Sequence, residues 1–472
     1  MENQNKKLPF GRMLAFAIGD FFGGGAFNII NFLYPGFLAL VIGLPAELAG
    51  LLMMIARIFD AVIDPFIGFY SDKLRARFGT RRGSIIAAAP LVVLSLFLMF
   101  FPFQYPGLYA RFFAVLFSYI FFCAVQSVIM IPYYSLTGEL TWDYTDRARI
   151  TSLRLGFSIF ASIVCVAVPG MIIDAFDGNT GYIVMSLSFG VLFMLCVGAT
   201  GLFAKEGIPA EKEVPRLSLR EFIRPLRVKV FRQYLYIFLC CQMTMAIMSA
   251  LFFFYVDFFF CAEATAAGQS NMVGMIGAAL MFGMQIVALP VYLAMIKKTS
   301  KTAVYIFGSA IWIVGALALF FMPAGANPLY LYLLAAILGF GISGPGLIPH
   351  AIFADVVDVG TLQFGTAAPG AFSGIANFIN SIAQAIGLAI VMAGLGLAGF
   401  VEKDILSGVE VLSQPLSAQN AIIAIMALAP LLFMSIGIFF CTRYKLNKER
   451  HAAVVAALEG SEEERLAVLR TL

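Results

Sequence analysis

The chain has 472 residues, 61% of them hydrophobic and 12% charged, with a mean hydropathy of +0.92. That apolar load excludes a soluble globule and defines an integral membrane protein. The net charge of +4 calls for no acidic partner and no nucleic acid, and two histidines and seven scattered cysteines without ligand spacing argue against a zinc site or a disulfide framework.

Twelve apolar stretches recur, at roughly 12–40, 46–72, 83–103, 110–138, 150–173, 180–204, 231–258, 270–296, 300–322, 329–352, 366–400 and 415–442. They lack the two-residue alternation of a lipid-facing barrel strand, so each is expected to be a helix. The polar start "MENQNKKLPFGR" leads into an apolar run too long for a signal peptide and without a small-residue cleavage site, so no removal is expected. Of the 31 Lys and Arg, 27 fall in the N-terminal tail, the even-numbered connections and the C-terminal tail, which by the positive-inside bias puts both termini in the cytoplasm.

The first stretch carries Asp20, followed by Asn28 and Asn31 and by Gly23, Gly24 and Gly25, which suit either close helix packing or a pocket. In the second, "RIFDAVIDPF" sets Arg57, Asp60 and Asp64 on one helical stripe, since a helix turns about 100° per residue. An ionised carboxylate at that depth costs about 2.5–3.5 kcal/mol, so it faces a bundle interior and needs a partner. Pro65 removes the amide that would bond the Ala61 carbonyl, leaving a free oxygen beside the two acids. Two carboxylates and a carbonyl make a candidate site for a hard cation such as Na⁺. The competing reading is a structural Arg57–Asp60 salt bridge with Asp64 neutral, but one arginine cannot neutralise two acids.

The fourth stretch offers Gln126, Ser127, Tyr133 and Tyr134, and the fifth a buried Arg154 that needs an acid, for which Asp20 and Glu139 are the candidates. The basic connection 205–232 separates six helices from six. "IPYYSLTGEL", at Ile131-Pro132, and "IPHAIFADVV", at Ile348-Pro349, read as copies ending the fourth and tenth helices, and "IKKTSK" answers the charged connection after the second. Arg220, Arg224 and Arg227 in that connection fit an amphipathic helix on the anionic inner leaflet. On the eleventh stretch Ser373, Asn377, Asn380, Ser381 and Gln384 form one polar stripe that suits water or substrate. The closing stretch "EGSEEERLAVLRTL" has a soluble character, as a short helix or disordered chain, and no chemistry is expected of it.

Two duplicated six-helix halves are the plan of the major facilitator superfamily, with a substrate site near mid-membrane between them. The expected organisation is an N-terminal half over 1–204, a linker over 205–230, a C-terminal half over 231–442 and a tail over 443–472. "RIFDAVIDPFIGFYSDKLRARFGTRR", with Asp20, "MIPYYSL", Arg154 in "TSLRLGF" and "ADVVDVG" in order along the whole chain, resembles the glycoside–pentoside–hexuronide:cation symporters, the melibiose permease family. The resemblance implies that Asp60 and Asp64, helped by Ser127, hold the coupling cation, and that Asp20, Tyr134 and Arg154 border a sugar. Ile63 stands where the family has an asparagine, Met130 where it has a sugar-binding acid, and Gln384 where it has a lysine. The first departure favours H⁺ over Na⁺ without deciding between them, and the other two imply a different sugar.

The expectation is a monomeric inner-membrane symporter of a glycoside, pentoside or uronide, using Na⁺ or H⁺ and no other cofactor, with no enzyme motif. Asn31, Asn377, Asn380 and Gln384 join the expected substrate lining, and Asp72, Lys73, Arg81 and Arg82 are expected to latch the halves. The alternatives are a lysolipid transporter, to which 48 Phe and 21 Met would be suited, and a drug-type efflux pump.

Overall fold

The computed structural model describes residues 9–103, 105–140, 144–176, 178–206, 222–266, 272–364, 369–401, 413–446, 448–458 and 462–471. Every regular element among them is helical. Helix α1 (Phe10–Ala17) and α2 (Asp20–Leu40) make one span, interrupted at Ile18 and Gly19. They are followed by α3 (Ala46–Phe78), α4 (Arg82–Met99), α5 (Leu108–Glu139), α6 (Tyr144–Asp174) and α7 (Thr180–Phe203). After the linker come α8 (Lys229–Tyr255), α9 (Met272–Lys298), α10 (Lys301–Phe320), α11 (Pro328–Phe364), α12 (Pro369–Leu397) and α13 (Leu416–Arg443). Two short helices close the chain, α14 (Lys448–Leu458) and α15 (Glu462–Thr471).

Eleven spans among the described residues are long and apolar enough to cross a membrane. Helix α3, 33 residues long, is kept out of that set only by its own charges, and with it the spans number the twelve expected. It ends where Gly79 adopts φ 76°, a left-handed cap that a side chain would strain.

The chain divides into two compact units. Unit 1 holds Met1–Leu217, Ala264–Met275 and Met392–Pro415; unit 2 holds Ser218–Glu263, Ile276–Val391 and Leu416–Leu472. In unit 1, α4 packs on α5 and α7, α3 on α5, and α2 on α6. In unit 2, α10 packs on α11 and α13, and α8 on α13 and α11. In both, the third span lies against the fourth and the sixth, the pattern expected of a duplicated half.

One expectation needs correction. Pro132 and Pro349 do not end their helices: α5 continues to Glu139 and α11 to Phe364. One missing amide costs one helical bond, and neighbouring helices hold the remaining turns in place. The basic connection is described only from residue 222. Its 3₁₀ turn Arg224–Arg227 sits on unit 2, with Phe222 and Leu226 packed on a core that includes Phe231, Tyr234 and Ile352. The Arg224 guanidinium lies 4.3 Å over the Phe364 ring; Arg220 falls outside the described residues. The end of the tail forms the short helix expected of it, and before it Val454 and Ala457 of α14, a helix rich in Ala and Val, are buried in that same core.

The glycine run of α2 permits close approach at all three positions. A side-chain carbon on Gly24 would meet the Ser158 backbone oxygen of α6 at 2.9 Å, and one on Gly25 would meet the Cys165 sulfur at 2.7 Å. One on Gly23 would meet the Asp20 carboxylate at 2.7 Å and crowd the end of the Met130 side chain.

Candidate functional site

Helix α3 packs on α5, which brings the acidic stripe to Ser127. The Ser127 Oγ lies 2.6 Å from Asp64 Oδ1 and 3.0 Å from Asp60 Oδ1. A hydroxyl has one hydrogen and can donate to one carboxylate at a time. The second carboxylate contact therefore needs something positive, a proton on one acid or a cation between them. Among the described residues no three His, Cys, Asp or Glu side chains are grouped to hold a metal ion; the oxygens gathered here are those of two acids and one serine.

Arg57 is not paired with either acid. Its Nη2 donates to Asn31 Oδ1 at 3.0 Å and its guanidinium lies 5.2 Å over the Phe27 ring, both on α2. It acts on Asp60 only through space. No Arg57–Asp60 or Arg57–Asp64 ion pair is present among the described residues, and one guanidinium donor goes instead to the neutral amide of the neighbouring helix. Asn31 is drawn into this group and away from Asp20, which lies eleven residues or about 16 Å back along α2.

The second group in unit 1 gathers Asp20, Arg154 and Tyr134. Asp20, 4% exposed, opens α2, with its Oδ2 3.7 Å from Arg154 Nε. Of the two acids the sequence offered Arg154, the structure brings Asp20. The guanidinium also stands 5.3 Å over the ring of Tyr134, itself half exposed. A loose ion pair stacked on an accessible aromatic ring leaves donors on the arginine for a polar ligand. Asn28 serves as glue instead, donating to Gly24 O at 2.8 Å and to Ser162 Oγ of α6 at 2.9 Å.

At the end of unit 1 beyond α3, Arg81 pairs with Asp72, donates to Ser71 Oγ at 2.9 Å and reaches Glu139 Oε1 at 2.9 Å, where Arg75 joins at 2.5 Å. Arg82 binds Glu206 Oε2 at 2.8 Å, and Glu206 also accepts from the Thr80 hydroxyl at 2.5 Å and the Arg81 amide at 3.0 Å. Burial pushes the Glu139 carboxyl above its usual range, against the pull of Arg81 and Arg75. Burial acts in the same direction on Glu206, but the Thr80 and arginine hydrogen bonds outweigh it and hold that carboxyl below its usual range. Lys73 is exposed and has no ion pair among the described residues. These contacts all lie inside unit 1, so the cluster ties α3, α4, α5 and the end of α7 together. Glu206 was missed because nothing local distinguishes it from other acids near a basic linker.

Unit 2 has a counterpart. Lys301 Nζ binds Asp355 Oδ2 at 2.6 Å and the Ala351 carbonyl at 2.8 Å, and His451 of α14 meets Asp358 Oδ2 at 2.9 Å. "IKKTSK" and "ADVVDVG" hold the lysine and the aspartates of this cluster, but neither that pairing nor the histidine from the tail was read from the sequence. On α12, Gln384 Nε2 donates to Asn380 Oδ1 at 3.1 Å and Asn377 is exposed, so the polar stripe is present and partly self-bonded.

A twelve-span helical protein of two matching units, with acids and arginines buried between its helices, is a membrane transporter and not an enzyme. Residues 15–448 match the family of MFS/sugar transport proteins, and the chain belongs to it. It is 25% identical to an uncharacterized symporter of Synechocystis, covering 97% of this chain and 98% of that one. It is 23% identical to the glucuronide carrier protein homolog of Escherichia coli, covering 97% of each. Among solved structures, a bacterial homologue of the human drug peptide transporters PepT1 and PepT2 superposes with a TM-score of 0.59 at 14% identity, over 92% of this chain and 97% of that one. The resemblance to the glycoside–pentoside–hexuronide:cation symporters therefore stands.

Proposed function

We propose that this protein moves a sugar or glycoside by symport with Na⁺ or H⁺, in an inner membrane with both termini in the cytoplasm. The observation that carries this reading is the single Ser127 hydroxyl within hydrogen-bond reach of both Asp60 and Asp64. Such a site is electrostatically incomplete until a positive charge arrives. Arrival of the cation relieves the repulsion between the acids and lets α3 settle against α5. The Arg57–Asn31 bond carries that adjustment to α2, whose first turn holds Asp20 beside Arg154. Cation and sugar then favour each other's binding, and the loaded or empty carrier exchanges its accessible side. The Asp72–Arg81–Glu139 and Arg82–Glu206 pairs act as the inner bracing of unit 1 during that exchange.

The family's sugar-transport description and the glucuronide carrier among its relatives support a sugar as cargo. Counterflow of labelled methyl β-glucuronide, methyl β-xyloside and lysophosphatidylcholine in proteoliposomes, under imposed Na⁺ or pH gradients, tests it. Exchange of a sugar, and its accumulation when one gradient is applied, is expected. Exchange of the lysolipid with neither sugar moving would refute it.

A further inference from the structure

The structure carries a histidine inside a membrane span that none of these contacts explains. His350 follows Pro349 within α11, is exposed, and has no hydrogen-bond partner among the described residues; its ring meets Phe238 edge-on at 6.0 Å. An unpartnered polar side chain at membrane depth is expensive if it points into lipid. Helix α11 exposes Leu329, Tyr330, Leu333 and Ile337 along its first turns. Counted at about 100° per residue, His350 stands about 60° from Leu329 and between about 100° and 160° from the other three.

Helix α9 repeats the arrangement. Its exposed apolar residues are Met272, Ile276, Leu280, Val287, Val291 and Leu293, and Gln285 lies about 120–180° from the first five and about 80° from Leu293. The Ser343 hydroxyl of α11 donates to the Gln285 carbonyl at 2.9 Å, which fixes the two helices at this level. Between them sits Gly346, one turn before His350, where an added side-chain carbon would come within 3.9 Å of the Gln285 amide nitrogen. That amide has no hydrogen-bond partner among the described residues. On α12, Asn377 and Gln384 likewise lie about 120–180° from the exposed Ile386 and Ile390. Three helices of unit 2 thus turn uncharged polar side chains away from most of their exposed apolar residues.

We infer that His350 and Gln285, on either side of Gly346, form a hydroxyl-binding subsite of unit 2 for the polyol part of the transported sugar. An imidazole and a carboxamide can each donate and accept, which suits vicinal hydroxyls, whereas neither supplies the fixed charge that a carboxylate ligand would seek. Gly346 leaves the space that a ring edge would fill. This inference rests on the proposed sugar transport and assigns His350 and Gln285 a role in selecting the cargo.

The test uses the full-length carrier in proteoliposomes. Wild-type counterflow of methyl β-glucuronide and methyl β-xyloside is measured first, and failure of both would overturn the transport reading and the subsite with it. With a transported probe identified, His350→Ala and Gln285→Ala are each expected to raise its KM about tenfold with little change in maximal rate. His350→Asn, which keeps a donor and an acceptor, should recover part of the loss. Carbethoxylation by diethyl pyrocarbonate, read peptide by peptide, supplies a measurement on the unmutated chain, with His451 as internal reference. Saturating probe should slow modification of His350 about tenfold and leave His451 unchanged. Unchanged KM in both alanine variants, or modification of His350 that ignores saturating probe in a carrier that transports it, would overturn the subsite and spare the transport reading.

Discussion

The two units share a helix-packing pattern and differ in what they bury. Unit 1 holds Asp20, Arg57, Asp60, Asp64 and Arg154 within its helices, whereas α9, α11 and α12 of unit 2 carry amides and one imidazole, with Asp355 and Asp358 confined to the last turns of α11. Ionised groups in a membrane are costly and responsive, since a proton, a cation or an arginine changes their free energy by kcal/mol. Amides are cheaper and respond little to charge, but they count hydroxyls well. On the proposed reading, coupling falls to unit 1 and a share of substrate selection to unit 2.

Changes in unit 1 should therefore cost more, and more in coupling, than changes in unit 2. The largest effect is expected from Arg154→Gln, which strands a buried Asp20 charge and should cost about 3 kcal/mol in fold stability or transport. Thermal unfolding and counterflow would register it, and adding Asp20→Asn should restore much of the stability. Next comes Ser127→Ala, which removes the hydroxyl between the two acids and should raise the cation concentration for half-maximal uptake about tenfold, roughly 1.4 kcal/mol. A cation dependence left unchanged would place the cation elsewhere. In unit 2, Gln384→Ala removes an amide bonded to Asn380 and should shift sugar KM by about 1 kcal/mol or less without altering the cation dependence. An altered cation dependence there would erase the division between the units.

The smallest effect concerns pH. Glu206 is held below its usual value of 4.5 in the folded protein, so its stabilisation is present above that value and is lost as pH falls through it toward the folded value. Melting temperature measured down through that range should fall in the wild type, and this component of the fall should be missing in Glu206→Gln. Glu139 has the opposite sign: its raised carboxyl favours the folded state at low pH and contributes less as pH rises above 4.5.

The acidic stripe of α3 was legible because charge in an apolar run has few explanations and helical periodicity says which residues share a face. The twelve spans and the duplication were legible for the same reason, as long-range patterns written in hydropathy. What escaped the sequence depends on contacts across helices. Arg57 reaches Asn31 rather than an acid, because which neighbour lies 3.0 Å away is decided by the packing of α2 on α3. The burial of Val454 and Ala457 escaped because α14 carries Ala and Val on several sides, and only packing decides which of them meet the core. His350 escaped because a lone histidine carries no periodic signal, and its meaning appears only once the exposed residues of α11 are known.

The central claim is that Asp60 and Asp64 couple a cation to sugar movement. The direct test compares wild type with Asp60→Asn, Asp64→Asn and the double variant in proteoliposomes, recording sugar accumulation under Na⁺ and pH gradients alongside gradient-free counterflow. Loss of accumulation under both gradients with counterflow retained is the predicted result. Accumulation that survives in the double variant under either gradient would contradict it.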